Sequence, residues 1–280
     1  MLSRRTLRVA IAGLAATATL ISLAAFSALP TADSSKAVSS SSGSSDKQSD
    51  KQSDKHSSKN SEVTIYLTRH GETWFNTLNR MQGWSDSPLT EEGILDAEHL
   101  GAGLAEAGIK FKAAYSADMG RHYQTTTLAL NELGYKGEPV RDERLREISF
   151  GSFEGATQAE VFAAVAPYLT EESEFTDYLA AIVTANGDSP MIAETSAQLT
   201  ERVMASLNEI AAAQSKKGGG NVLVVSSGIT IMAALASMGA DLSAITDGID
   251  NAAVSKLTYK KGAWTVVTVN DSSYVEAGAN

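Results

Sequence analysis

The sequence predicts an α/β fold of three layers, a mainly parallel sheet sandwiched between helices on both faces. Two observations carry this. Strand-like stretches alternate along the chain with stretches whose apolar residues recur at helical spacing. One strand-like run, Val222-Leu223-Val224-Val225, is apolar at every position, as a strand buried on both faces requires. Strands alternating with helices imply parallel pairing with helical crossovers.

Taken in order, Val63-Thr64-Ile65-Tyr66-Leu67-Thr68 alternates β-branched and bulky residues and reads as the first strand. Residues 90–107 follow with helical spacing, Ile94, Ala97, Leu100 and Leu104 sharing a face. A short strand is expected over 113–116 and a helix over 119–133. Helices are expected over 157–168, 171–184 and 196–214, the last stopping at Gly218-Gly219-Gly220. After the apolar strand, 229–238 reads as a short helix; 254–259 and 264–269, around Lys260-Lys261-Gly262, read as a hairpin at a sheet edge. Neither an internal repeat nor a second core is legible, so 62–280 is expected to be one domain.

Composition narrows the function. The chain has 280 residues and no cysteine, which excludes a disulfide scaffold, a thiolate metal site and a catalytic cysteine. Its formal net charge is -10, unlike the basic face of a nucleic-acid binder. The charge is unevenly spread. Residues 1–60 hold eight basic and four acidic side chains, whereas 61–280 hold fifteen and twenty-nine, a net −14. Arg4, Arg5 and Arg8 precede an uncharged run over 9–32 with small residues near its end, the pattern of an export signal. The run is also long enough to span a bilayer. Residues 1–32 are therefore expected to be a signal peptide or an N-terminal membrane anchor, membrane association through 9–28 following if the segment is uncleaved. Either places the rest at the cell surface or outside the cell. Residues 33–61, mostly Ser, Lys, Asp and Gln, bury too little to offset their ordering entropy and are expected to be a disordered linker.

In an open α/β sheet the ligand lies beyond the carboxyl ends of the strands. The residues following the predicted strands are Arg69-His70-Gly71-Glu72-Thr73, then Ser116 with Arg121 on the next helix, then Ser226-Ser227-Gly228. Two arginines, a histidine and a serine at a helix start make a polyanion pocket with a nucleophile in it; the partner expected there is a small phosphorylated substrate. In so acidic a domain the anion must be held locally, by guanidinium forks and helix-end amides.

Arg69-His70-Gly71-Glu72-Thr73 resembles the signature of the histidine phosphatase superfamily in its phosphoglycerate-mutase-like branch. The likeness continues through Asn76, Arg80, Gln82-Gly83-Trp84, Asp86 and Pro88-Leu89-Thr90. Further blocks are similar at Ser116 to Thr125, at Leu145-Arg146-Glu147 with Gly151 and Glu154-Gly155, and at 224–230. The resemblance implies that His70 is the nucleophile and that Arg69 and Arg121 clamp the phosphoryl oxygens. It further implies that Glu147 donates a proton to the leaving oxygen, and that Asn76, Gln82, Gly83, Ser227 and Gly228 line the substrate side. Neither metal nor cofactor is called for.

One position departs from the family pattern. Its fourth block normally reads Ser-His-Gly, and here it is Ser226-Ser227-Gly228. Exchanging a charged hydrogen bond for a neutral one costs about 1–2 kcal/mol, roughly ten- to thirtyfold in rate. On this basis Ser227→His is expected to raise activity. His99, mid-helix, and His122, about 100° around the helix from Arg121, are expected to lie off the site. For Glu147 the alternative is a solvated face, the usual reading of a dense charge run such as Arg141 to Glu147. Trp74, Phe75 and Trp84 form either a lid or loop packing. The functional expectation is an exported phosphomonoesterase with a phosphohistidine intermediate, weakened by Ser227; the alternative is an impaired phospho-ligand or envelope-binding module. A mutase is disfavoured because residues 156–195 contain no arginine to hold a second phosphate.

Overall fold

The computed structural model describes residues 61–280 apart from position 246. The export segment expected within 1–32 and the linker expected over 33–61, save Ser61, lie outside the described residues. Strands β1 (Val63–Arg69), β2 (Phe111–Ser116), β3 (Val140–Arg141), β4 (Gly220–Ser226), β5 (Val254–Lys260) and β6 (Ala263–Asp271) form one sheet in the order β3-β2-β4-β1-β5-β6. The first four strands run parallel, and β5 and β6 close one edge as an antiparallel hairpin. The helices are α1 (Trp74–Thr77), α2 (Glu91–Glu106), α3 (Gly120–Glu132), α4 (Gln158–Val165), α5 (Phe175–Asn186), α6 (Ser196–Lys216), α7 (Gly228–Ser237) and α8 (Ser273–Gly278). This is the three-layer α/β architecture the sequence predicts.

The pleat explains the layering. Val63, Ile65 and Leu67 of β1 join Val222 and Val224 of β4 on the face covered by Val203, Leu207 and Ile210 of α6 and Ile231 and Leu235 of α7. Tyr66, Leu223 and Val225 point the other way, against Leu100 and Leu104 of α2 and Ala129 and Leu130 of α3. Each fully buried side chain of this kind contributes roughly 1.5–3 kcal/mol. A one-residue slip of β1 would turn Thr64 and Thr68 into the α6–α7 layer, so the register is strongly specified.

Two expectations need correction. The helix expected from 171 starts only at Phe175, because the Glu174 side chain and Asp177 cap each other's backbone N–H groups there. A second apolar cluster also exists. Val161 and Val165 of α4 and Leu179 and Ile182 of α5 pack with Met81, Ile148 and Phe150, and reach the main body through Leu199 and Ala233. These short helices lie off the sheet, so their apolar faces bury against each other and the site loops. Elements of a few residues, α1, β3 and α8, carry no readable period.

The loop after β1 is fastened to the start of α2. The Glu72 carbonyl accepts from Thr90 N–H (3.0 Å), and Thr90 Oγ1 accepts from Gly93 N–H (3.0 Å) as the α2 cap. A β-carbon on Gly71 would overlap the Gly93 carbonyl, and one on Gly93 would overlap the Glu72 carbonyl. Only glycine at both positions lets the two backbones touch. Gly93→Ala is therefore expected to cost about 1–3 kcal/mol, the scale of overpacking, measured by chemical denaturation. An unchanged stability would show that the contact does not constrain this loop.

Candidate active site

The residues that follow β1, β2 and β4 converge. His70, next after β1, has its backbone held on every side. Its N–H donates to the Ser226 carbonyl at the end of β4 (3.0 Å), and its carbonyl accepts from Asn251 Nδ2 (2.9 Å). Gly71 N–H donates to Thr125 Oγ1 (3.0 Å), whose hydroxyl donates to the Arg121 carbonyl (2.8 Å). The His70 ring is 3% exposed and its Nδ1 lies 2.8 Å from the Gly71 carbonyl oxygen. A carbonyl only accepts, so Nδ1 carries the proton and Nε2 keeps a free lone pair. Burial, then Arg121 and Arg69, push the His70 pKa well below the usual 6.5, against the opposing Gly71 bond. At neutral pH this imidazole is uncharged.

Among the described residues, the buried side-chain nitrogens and oxygens without a hydrogen-bond partner are Arg69 Nε, Ser116 Oγ, Arg121 Nε and His122 Nδ1. All four belong to the segments that meet beyond the strand ends. Leaving a donor buried and unpaired costs about 1–3 kcal/mol, so a cluster of them calls for a reason. A tetrahedral oxyanion supplies one.

The two arginines differ. Arg69 donates through Nη1 to the Ile249 carbonyl (2.6 Å). Arg121, 1% exposed, spends its Nη groups on the 82–86 loop: on the carbonyls of Ser85 (2.9 Å) and Gly83 (2.9 Å), more weakly on that of Gln82 (3.3 Å), and on Asp86 Oδ1 (3.0 Å). The fork implied by the resemblance is thus turned onto the loop, and Nε is what remains for a ligand. Glu154 grips the same loop, accepting from the N–H groups of Gly83, Trp84 and Ser85 and from Ser85 Oγ. Asn76 and Gln82 are both spent on Thr73, the N-cap of α1: Asn76 Oδ1 accepts from Thr73 N–H (3.1 Å), and Gln82 Oε1 from Thr73 Oγ1 (2.6 Å).

Glu147 is buried, unlike a residue on a solvated face. Its carboxylate accepts from the N–H groups of Ile148 (2.9 Å), Ile229 (2.9 Å) and Thr230 (3.0 Å) and from Thr230 Oγ1 (2.9 Å). Two of those amides belong to the first turn of α7, where a negative charge is favoured. The preceding turn is pinned by Arg202, which donates to the carbonyls of Arg144, Arg146 and Glu147, and by Ser226 Oγ, which donates to that of Leu145. The Arg146 guanidinium turns outward to Asp118 at 2.6 Å and lies 5.0 Å over the Trp84 ring. Trp84, whose Nε1 donates to the Glu147 carbonyl (3.1 Å), is therefore loop packing. Trp74 is exposed, and Phe75 packs beside Gly155.

His122 overturns the expectation that it lies off the site. Its ring is fully buried, 5.1 Å from the His70 ring at 89°, and its Nε2 lies 2.6 Å from Ser227 Oγ. Burial, then Arg121 and His70, hold its pKa well below 6.5. The 100° step from Arg121 is real, but Arg121 and His122 are both among the buried residues of α3. The missed signal was the stripe His122, Thr126, Ala129 and Leu130, which puts His122 on the buried side of α3. Thr125, Asn251, Glu154 and Arg202 were also missed as positioning groups, because their partners are distant in sequence. His99 is half-buried on α2, as expected away from this cluster.

Beyond the strand ends the α/β sheet brings together a neutral imidazole with a free nitrogen and two arginines with unpartnered Nε atoms, one half-buried and one buried, a grouping suited to phosphoryl transfer. The sequence model of the histidine phosphatase superfamily (branch 1) matches residues 65–272, and the chain belongs to that superfamily. Its members act on small phosphorylated substrates. A phosphoglycerate mutase structure from Bacillus anthracis is 36% identical with a TM-score of 0.73, covering 80% of this chain and 99% of that one. YhfR from Bacillus stearothermophilus is 28% identical with a TM-score of 0.59, covering 76% and 99%. A mycobacterial glucosyl-3-phosphoglycerate phosphatase, 23% identical with a TM-score of 0.58 over 75% of this chain and 99% of that one, shares the fold. A 2,3-bisphosphoglycerate-dependent phosphoglycerate mutase from Xanthobacter autotrophicus is 38% identical over 96 residues, 34% of this chain and 46% of that protein. One from Rhizobium etli is 41% identical over 93 residues, 33% and 44%. The chain thus spans less than half the length of the curated relatives it matches.

The two depressed histidines give a signed pH dependence. Below about pH 6.5 the unfolded chain binds protons at both positions that the folded chain refuses, so stability falls with acidification. Each such proton contributes at most about 1.4 kcal/mol per pH unit. Asp96, pushed up to about 6 by burial and by Glu92 and Glu72, opposes part of the fall. Denaturation midpoints should drop between pH 6.5 and 5, and the drop should flatten in His70→Gln/His122→Gln. A wild type equally stable at both pH values would contradict the neutral-imidazole assignment.

Proposed function

We propose that this chain is an exported phosphomonoesterase that forms a phosphohistidine on His70. The carrying observation is the free Nε2 lone pair of a buried, neutral ring beside two guanidinium groups with unpartnered Nε atoms. In the first step His70 Nε2 bonds to phosphorus in line with the scissile oxygen. The P–O bond breaks, and the leaving oxygen departs with the electron pair and takes a proton. Arg69 and Arg121 offset the charge on the phosphoryl oxygens, where it collects. In the second step a water oxygen bonds to phosphorus and the P–N pair returns to Nε2, releasing inorganic phosphate. Glu147 takes the proton of that water and hands it to the leaving oxygen of the next turnover. Its carboxylate is held in place by four hydrogen bonds, three of them from the first turn of α7.

A phosphatase is favoured over a mutase by one segment. Residues 156–195, which include α4 and α5 and pack beside the 80–86 loop, contain seven acidic and no basic side chains. A second phosphate held next to the first would meet like charge there. The likeness to proteins named phosphoglycerate mutase supports phosphoryl transfer and gives the competing reading its specific test. The export half of the proposal rests on the basic start and the uncharged run over 9–32.

Steady-state hydrolysis of an aryl phosphate by the full chain tests the first half. His70→Ala is expected to lower kcat by about 10⁴-fold or more, the scale on which losing a nucleophile acts. The aryl phosphate should be turned over and 3-phosphoglycerate not isomerised. Mutase turnover exceeding hydrolysis would reverse the assignment, and wild-type activity equal to that of His70→Ala would favour a binding module. N-terminal sequencing of the chain recovered from its host's exterior tests the second half. A start beyond position 28, or an intact anchor in the membrane fraction, is expected; an intact chain in the soluble interior would refute export.

A further inference from the structure

The mechanism above leaves one buried pair unused. His122 Nε2 sits 2.6 Å from Ser227 Oγ, both side chains are shut off from solvent, and the His122 ring meets the His70 ring edge to face. Ser227 is the N-cap residue of α7, yet its hydroxyl makes no capping bond and is committed to His122 instead. His122 Nδ1 has no partner. A residue kept only to fill space would not bury an unpaired nitrogen, which a leucine or methionine of similar size avoids at no desolvation cost.

We propose that α3 supplies the second imidazole of this site: His122, acting through the Ser227 hydroxyl, does what a single histidine on the loop after β4 does elsewhere in the family. The inference rests on the phosphohistidine reading and adds a positioning residue to it. Serine at 227 is too short to bring an imidazole to the phosphoryl group. His122 stands directly behind it, on the helix that also carries Arg121. With Nε2–H donating to Ser227 Oγ, the one proton of the hydroxyl is turned away from α3 and toward the phosphoryl oxygens. The serine is the contact and the imidazole sets its direction. Ser227 is therefore one half of an exchange between two elements, and Ser227→His is expected to lower activity rather than raise it. In the presence of His122 a second imidazole at 227 would overfill a closed space.

The test compares the full-length wild type, His122→Gln, Ser227→His and the exchange His122→Ala/Ser227→His, by aryl phosphate kinetics, vanadate affinity and thermal melting. Each single variant is expected to lose about ten- to thirtyfold in kcat, the worth of one directed hydrogen bond. KM should change little, and the exchange should recover most of the loss. A structural role would not produce that recovery. An exchange no better than the product of the two single effects, or a His122→Gln enzyme with wild-type kcat, would overturn the proposal. If the wild type carries no turnover, the phosphohistidine reading fails by itself. The pair is then judged on vanadate affinity, where loss and recovery support it and equal affinities refute it. If the variants do not melt cooperatively, histidine ¹⁵N resonances of the wild type decide: vanadate should shift those of His122, and unmoved resonances would overturn the proposal.

Discussion

The site depends on the bond from His70 Nδ1 to the Gly71 carbonyl, because it decides which ring nitrogen is left to react. The acceptor belongs to the very next residue, so the bond survives only while the peptide between His70 and Gly71 is held still. Three elements hold it: β4 through Ser226, the loop before β5 through Asn251, and α3 through Thr125. The contact of Gly71 with Gly93 adds α2. The sheet's function here is to bring those four supports to one point, and the parallel pairing of β1 with β4 does so by ending both strands at the same level.

Around that point the protein tolerates a local cost. Two guanidinium nitrogens, a hydroxyl and an imidazole nitrogen are buried unpaired, whereas the other buried side-chain polar atoms among the described residues find partners. Burial lowers the pKa of Arg69 and Arg121 as well as of the histidines, and Glu147 is among the groups opposing it at both arginines. Glu147 thereby links two tasks, neutralising the arginines from within and fastening the first turn of α7. A net charge of −14 over 61–280 leaves such local arrangements as the means of holding an anion.

Much of this was readable from the residues. The layer order follows from the alternation on β1 and the continuous run on β4, and His70 and both arginines stand where the strand-end rule puts them. What could not be read has physical causes. The charge run around Glu147 left a solvated face open as the alternative to the role the resemblance implies, because the turn that carries it is pinned by Arg202 and Ser226, partners more than fifty residues away. The cluster under α4 and α5 was missed because short helices of alanine and small apolar residues give little contrast between faces. His122 was missed for a different reason. The 100° step from Arg121 holds, but the stripe His122, Thr126, Ala129 and Leu130 is what sets the side of α3 that is buried.

Under the proposed mechanism the His70 ring is set by its own backbone, and Ser227 and His122, on separate elements, together form the wall beside it. Membership of the histidine phosphatase superfamily accounts for the frame, and the wall belongs to this chain. The account stands or falls on which nitrogen carries phosphorus. Trapping the intermediate with substrate, unfolding it in base and reading the ³¹P–¹⁵N coupling of the labelled ring should place the phosphoryl group on His70 Nε2. Phosphorus on Nδ1, or none on His70 while turnover continues, would contradict it.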